Sequence, residues 1–172
     1  MPKELSLQYI AGFFDGEGSI GIYSRKDRYN GACLRTQLTQ NKTKESLFIL
    51  SELKNKYGGN LSEQKTLSGG IKYNWQLNPK GVKQFLEDIE PHLICKKTQA
   101  KLALYWLKNK PNIKRDGHGR VVKFISKEIE FTNKIIRLMK ELKTKDIDIV
   151  MEEQKDLVEV MVGLQPLAVI KG

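Results

Sequence analysis

The feature that most constrains this chain is a short apolar helix pattern near its N-terminus. Four apolar residues fall at the i, i+3, i+4 and i+7 spacing of one helix face: Leu7, Ile10, Ala11 and Phe14. Gly16 and Gly18 follow, where a helix C-terminus favours glycine. The sequence therefore predicts a helix from Leu5 to about Asp15.

Gly12 lies inside this predicted helix. Glycine in a helix interior costs about 1 kcal/mol relative to alanine, so a compensating reason is expected. Close approach of a second helix is such a reason, and an identical helix related by a two-fold axis would supply it. The pattern predicts a homodimer whose interface consists of Ile10, Ala11, Gly12 and Phe14.

Two carboxylates, Asp15 and Glu17, stand at the C-terminal end of the same helix. A helix C-terminus already carries partial negative charge, so added carboxylates favour a bound cation. Oxygen ligands without imidazole or thiolate select a hard divalent ion such as Mg²⁺. Such an ion beside a nucleic-acid phosphate can promote phosphodiester hydrolysis, which makes a phosphodiesterase one hypothesis.

Charge indicates the kind of partner. The 172 residues, the size of one domain, include 30 Lys and Arg against 20 Asp and Glu, a net charge of +10. This excess suits a polyanion better than a small-molecule substrate. Residues 1–110 carry 18 basic and 10 acidic groups and residues 111–145 carry 10 and 4, whereas residues 146–172 carry 2 and 6. The last segment is therefore a poor candidate for contacting the polyanion.

Cysteine content and hydropathy indicate the compartment. Cys33 and Cys95 are the only cysteines, too few for a four-thiolate zinc site or a disulfide framework. The sequence has neither a signal-peptide pattern nor an apolar run long enough to span a membrane. We therefore expect an intracellular, non-secreted protein of the cytoplasm or an organelle matrix, with no membrane partner.

Hydrophobic periodicity predicts the element order α, ββ, α, ββ, α, α, which is a mixed α/β (α+β) fold. Alternating residues give a first hairpin around residues 24–31 and a second around the Ser68-Gly69-Gly70 turn. Helices are predicted at 43–57, after Asn78-Pro79, and at 99–109. Residues 1–110 form the predicted core. Residues 111–172 add a basic loop and a C-terminal helical extension, with one long helix from Phe124 to Lys143.

The segment Ile10-Ala11-Gly12-Phe13-Phe14-Asp15-Gly16-Glu17-Gly18 resembles the motif of the LAGLIDADG homing endonucleases. A later segment, residues 91–100, resembles that family's Pro-x-Leu-x-x-Lys-x-x-Gln-Ala pattern, and the element order agrees as well. The resemblance covers about residues 5–110. It implies the family's fold, an α-ββ-α-ββ-α core with an antiparallel DNA-binding sheet. Because the chain carries one motif, it also implies the homodimeric type.

The resemblance implies a role for several residues. Glu17 would bind Mg²⁺ together with the carbonyl of Gly16, and Lys96 would be the basic residue near the scissile phosphate. Gln40 would organise the water network, which makes Glu17, Lys96 and Gln40 the catalytic set. Asp15 would be structural. For the basic residue expected after the second strand, Lys42 and Lys44 both qualify.

In the family the two hairpins lie in the DNA major groove, where Arg and Lys can pair with guanine and Gln and Asn with adenine. The polar sides of the predicted hairpins agree with such a role. The expected contacts to double-stranded DNA are Tyr23, Arg25, Arg35, Gln37, Thr39, Lys42, Lys44, Ser62, Gln64, Lys72, Asn74, Gln76, Arg115 and Arg120. Gly21 and Cys33 share the side of the first hairpin that carries Tyr23.

The resulting hypothesis is a site-specific DNA homing endonuclease. It would break both strands of a long pseudo-palindromic site in a reaction dependent on Mg²⁺ or another hard divalent cation, and so promote intron or intein mobility. The alternative is an RNA maturase or DNA-binding regulator that keeps the scaffold without cutting. A nonspecific nuclease agrees less well with two hairpins rich in Arg, Gln, Asn and Lys.

Overall fold

The computed structural model describes residues 4–24, 32–110, 116–118 and 126–145. Its helices and strands follow the predicted order, and a short 3₁₀ turn, Glu90–His92, precedes the fourth helix. The elements are α1 (Leu7–Glu17), β1 (Gly18–Ser24), β2 (Ala32–Asn41), α2 (Lys44–Tyr57), β3 (Asn60–Lys65), β4 (Ile71–Gln76), α3 (Pro79–Ile89), α4 (Lys97–Asn109) and α5 (Ser126–Glu141). The predicted mixed α/β fold is confirmed.

Side-chain caps determine where the helices begin. The Ser6 hydroxyl accepts a hydrogen bond from the backbone N–H of Tyr9 at 3.2 Å, so α1 begins at Leu7 rather than at the predicted Leu5. The helix also continues through Gly16 to Glu17, two residues beyond the predicted end, and Gly18 ends it in extended backbone. Glu17 is therefore the last residue of α1.

The four strands form one antiparallel sheet in the order β1-β2-β4-β3. Directly paired residues point to the same face of a sheet, so the register defines both faces. Ile20 is opposite Thr36, and Leu38 is opposite Trp75, which places these residues on one face. Their neighbours, such as Gly21 opposite Arg35, lie on the other face. The sheet thus has an apolar face towards the helices and a polar face, as the alternation predicted.

The core lies between the apolar face of the sheet and helices α1, α2 and α3. The Phe85 ring packs edge-on against the rings of Phe14, Tyr57 and Trp75, with centroids 5.0–5.3 Å apart. Three of these four side chains are fully buried, and Tyr57 is nearly so. Edge-to-face aromatic packing stabilises a core beyond simple burial of apolar area. This aromatic cluster connects helix α1 to the second hairpin.

The connection from α2 to β3 requires glycine. Gly58 and Gly59 have φ angles of +74° and +93°, in the region that side chains rarely adopt. A Cβ on Gly59 would also lie 2.6 Å from the main-chain oxygen of Gln76. The predicted termination of α2 at this glycine pair is confirmed.

Several predictions lie outside the described residues. They concern Arg25, Arg115, Arg120, most of the basic loop and the whole of residues 146–172. The long C-terminal helix is present as α5, which is described from Ser126 onward and ends at Glu141, two residues before the predicted Lys143. Over the described part of the chain, no helix combines the length and hydropathy needed to cross a membrane.

Candidate functional site

The end of α1 meets the turn before α4 through the side chain of Asp15. Its carboxylate accepts hydrogen bonds from the backbone N–H groups of Ile94, Cys95 and Lys96, at 2.6, 3.2 and 2.8 Å. Three donors on one carboxylate make a strong, charge-assisted arrangement. The two sequence motifs, 79 to 81 residues apart at these contacts, therefore form one site.

Lys96 is oriented by the same contact. Its ammonium group donates a hydrogen bond to the main-chain oxygen of Asp15, one of the carbonyls in the last turn of α1. The last four carbonyls of a helix lack intrahelical donors and attract a cation. The basic side chain of the second motif is thus held at the helix end, two residues from Glu17.

Glu17 has different surroundings from Asp15. It is exposed, and the described residues include no ion-pair or hydrogen-bond partner for its carboxylate. The described residues also contain no group of three or more His, Cys, Asp or Glu side chains able to hold a metal. A metal at Glu17 would therefore need further oxygen ligands that are not described side chains of the same protomer.

Gln40 lies near the end of β2 on the helix-covered side of the sheet. It is opposite Tyr73, and it shares its side with Leu38, the partner of Gly18 at the start of β1. It points away from the polar face on which Thr39 lies. Gln40 is therefore on the side of the sheet that carries α1.

The structure separates the two basic candidates that follow β2. The ammonium of Lys42 lies 2.6 Å from the Glu63 carboxylate and 5.8 Å from the centroid of the Tyr73 ring. The hydrogen bond that Lys42 donates to the Glu63 carboxylate raises the pKa of Lys42, against the opposing effect of desolvation. Because Glu63 is on β3, Lys42 points away from β1 and the α1 end. Lys44, exposed in the first turn of α2, has no ion pair within the described residues.

The predicted DNA-contacting residues that belong to the described strands all lie on the polar face of the sheet. Nine side chains share it: Tyr23, Arg35, Gln37, Thr39, Ser62, Gln64, Lys72, Asn74 and Gln76. Asn74 differs from the others because it is only 6% exposed and its amide oxygen accepts a hydrogen bond from Thr39 at 2.9 Å. In this conformation Asn74 fixes the neighbouring side chain on the polar face and has little exposed surface with which to contact DNA.

The predicted interface on α1 requires a correction. Ile10, Ala11 and Phe14 are 2%, 0% and 0% exposed within the protomer, so they belong to its own core and offer no surface to a partner. The reason is the helix period: their stripe faces the sheet and α3. Only Gly12 of the predicted set lies on the exposed side of α1.

The exposed side of α1 includes residues that the sequence interpretation missed. Tyr9 is 47% exposed, and its ring stacks on that of Phe13 with centroids 6.1 Å apart. Gly12 and Gly16 lie on the same side, and a Cβ at either would meet nothing within 4 Å. The sequence does contain a signal for this second surface, because residues 9, 12, 13 and 16 form a helical stripe of aromatic and small residues.

The LAGLIDADG endonuclease family matches residues 10–105, more than half of the chain. The chain belongs to the LAGLIDADG endonuclease family. The match includes most of α1, both hairpins and most of α4, so both motifs lie within it.

Solved structures with the same fold include homing endonucleases crystallised with DNA. The homing endonuclease I-CvuI, in complex with its target in the presence of calcium, is 24% identical, with a TM-score of 0.56 over 88% of this chain and 94% of that chain. The archaeal intron-encoded homing endonuclease I-Vdi141I, complexed with DNA, is 18% identical, with a TM-score of 0.54 over 88% and 96%. I-SmaMI, bound to uncleaved DNA with calcium, is 19% identical, with a TM-score of 0.51 over 87% of this chain and 48% of that chain. A search of curated proteins found no significant match.

Proposed function

We propose that this chain is a homodimeric, site-specific DNA endonuclease that makes a double-strand break in a long pseudo-palindromic site and promotes intron or intein mobility. The observation that carries the proposal is the contact between Asp15 and the turn before α4. It holds the ammonium of Lys96 on the main-chain oxygen of Asp15, two residues before the exposed Glu17. A carboxylate can bind a divalent cation that promotes phosphodiester hydrolysis, and an ammonium group can stabilise charge that develops on the phosphate.

The proposed metal ligands are the Glu17 carboxylate and the Gly16 carbonyl, an oxygen set suited to Mg²⁺ or another hard divalent cation. Such an ion would supply the charge that activates water and stabilises the leaving oxygen. One described protomer does not offer a complete set of side-chain ligands, so a second copy and DNA phosphates would complete it. The calcium in the I-CvuI and I-SmaMI crystals is consistent with a divalent ion in this fold.

The homodimer is supported by the exposed side of α1. Gly12 and Gly16 leave open space on the side of α1 that also carries the stacked rings of Tyr9 and Phe13, which suits close approach of a second helix. The chain also corresponds in fold to 48% of I-SmaMI, so two copies match the extent of that protein. In such a dimer the two α1 helices would bring both Glu17 residues to the centre of the DNA site.

DNA recognition is assigned to the polar face of the sheet. Arg35 and Lys72 can donate to guanine, and Gln37, Gln64 and Gln76 can pair with adenine in a major groove. A net charge of +10 favours the phosphate backbone at the same time. The role that we assign to Lys96 is to stabilise charge on the scissile phosphate, with Gln40 placed on the same side of the sheet to hold water.

Glu17→Gln tests the proposal. The purified protein is incubated with Mg²⁺ and a library of duplexes randomised over a span longer than the sheet, and the cut products are sequenced. Wild type is expected to cut within a narrow set of related sequences, whereas the Glu17→Gln variant is expected to bind the same sequences without cutting them. The control is Glu87→Gln, which makes the same Glu-to-Gln change on the exposed side of α3 and is expected to cut like wild type.

Two outcomes would contradict the proposal. If Glu17→Gln cuts at the wild-type rate, the carboxylate is not a metal ligand. If wild type enriches specific DNA from the library but leaves it intact in Mg²⁺, the non-cleaving regulator is the better interpretation.

A further inference from the structure

The outer edge of the polar face, on β1, has a cluster of one aromatic ring and two cations. The guanidinium carbon of Arg35 lies 5.5 Å from the centroid of the Tyr23 ring. The ammonium of Lys143 lies 6.0 Å from the same centroid. A cation near the face of an aromatic ring is attracted by the ring quadrupole. Two cations beside one ring repel each other, so the cluster suits an anionic partner.

The ring of Tyr23 lies over Gly21, which is two residues earlier on β1. A Cβ on Gly21 would fall 2.5–2.6 Å from three atoms of the phenol end of the Tyr23 side chain. Gly21 is also directly opposite Arg35 on β2. The absence of a side chain at Gly21 therefore allows the ring to lie flat on the sheet, within reach of the guanidinium.

Lys143 comes from outside the sheet, just after α5. The buried Gln99 of α4 donates a hydrogen bond to the main-chain oxygen of Leu142 at 3.1 Å. The Lys143 N–H in turn donates to the carbonyl of Lys140 at 3.1 Å. The end of α5 is thus tied to α4, the helix that follows Lys96, and α5 packs against β1. This packing places the ammonium of Lys143 next to Tyr23 at the polar face.

We propose that Tyr23, Arg35 and Lys143 form one DNA-contacting unit at the β1 edge, which we call the edge cluster, and that Gly21 is its positioning residue. The inference rests on the proposed function, and it adds Gly21 to the residues that set specificity and Lys143 to those that contact the phosphate backbone. In the edge cluster Arg35 reads a base, Lys143 neutralises a backbone phosphate, and the Tyr23 ring fixes the orientation of both. Tyr23 is 41% exposed and so is accessible to the duplex.

The first test is a double-mutant cycle on Gly21→Ala and Tyr23→Ala. Binding is measured by selection from the randomised duplex library in Ca²⁺, followed by anisotropy titration of the enriched duplex. Gly21→Ala is expected to displace the ring without unfolding the protein, because the atoms it meets are the free end of an exposed side chain. It should weaken binding about tenfold and relax base preference at one position of each half-site, an effect typical of removing one base-specific hydrogen-bond pair.

In the Tyr23→Ala background the Gly21→Ala change is expected to have no further effect, because no ring remains to be displaced. Additive effects of the two changes would overturn the assignment of Gly21 as a positioning residue. Thermal unfolding of each variant checks that the sheet is intact.

The second test concerns Lys143. Lys143→Gln should reduce the slope of log K against log salt concentration by about 0.9 for each phosphate that the lysine neutralises in wild type, while base preference stays as in wild type. Lys83→Gln is the matched control, since Lys83 is exposed on α3, behind the sheet. An unchanged slope for Lys143→Gln would remove Lys143 from the edge cluster. Failure of wild type to enrich any sequence would instead contradict the proposed function.

Discussion

At the scale of single residues, Asp15 and Glu17 show how two neighbouring carboxylates can have different roles. Asp15 accepts three backbone N–H groups and holds the turn before α4, whereas Glu17 is exposed and has no partner among the described residues. The first carboxylate stabilises the fold of the site. The second remains available for a ligand.

This difference predicts different effects on stability. Asp15→Asn keeps one acceptor oxygen but removes the charge and turns an N–H₂ group towards backbone donors, so it should destabilise the protein by about 1–3 kcal/mol. Glu17→Gln, at an exposed site, should change the free energy of unfolding by less than about 0.5 kcal/mol. Thermal and urea denaturation of both variants would measure this. Equal destabilisation by the two changes would refute the structural role of Asp15.

At the scale of elements, α2 and α3 are joined by a buried phenol. The Tyr57 hydroxyl, at the end of α2, donates to the carboxylate of Asp88 on α3 at 2.9 Å. Burial raises the pKa of Tyr57 well above its usual value, and the hydrogen bond to Asp88 adds to the shift. The fold therefore favours the neutral phenol, and this link between the two helices depends on pH.

The sign of the dependence follows from the raised pKa. In the unfolded chain Tyr57 ionises near pH 10, so its stabilising effect is complete below that pH and is lost as the pH rises towards the folded-state value. Between about pH 10 and 11, wild type should lose up to about 1 kcal/mol more stability than Tyr57→Phe does. Urea denaturation of both proteins at the two pH values provides the comparison. Parallel decreases in stability would contradict the linkage.

At the scale of the whole molecule, the proposed dimer depends on the exposed side of α1. Gly12→Leu adds a side chain where the protomer has nothing within 4 Å, so the protomer should fold as before. The added bulk should block close approach of a second α1. Light scattering is expected to give twice 19.7 kDa for wild type and a single 19.7 kDa chain for the variant.

Gly117→Leu is the control for this experiment, because a Cβ on Gly117 would also meet nothing within 4 Å, but this residue belongs to the turn at 116–118 and not to α1. It is expected to stay dimeric. A dimeric Gly12→Leu variant with wild-type stability would show that α1 is not the interface.

Local sequence signals determined most of the elements. The spacing of apolar residues, the glycine pair after α2 and the Asn78 cap each depend on neighbours within a few residues, so they predict helices, strands and the polar face directly. The resemblance of residues 10–18 and 91–100 to one family indicated Glu17 and Lys96 as partners in a site.

What the tertiary structure decided depends on contacts between residues far apart in the chain. Two apolar stripes were visible on α1, and only packing against the sheet and α3 shows that Ile10, Ala11 and Phe14 belong to the core while Tyr9 and Phe13 are on the outer side. Lys42 and Lys44 were equivalent until the pairing of β2, β4 and β3 brought Glu63 to Lys42. Periodicity says which residues share a side of an element, but the side that is buried depends on which distant elements cover it.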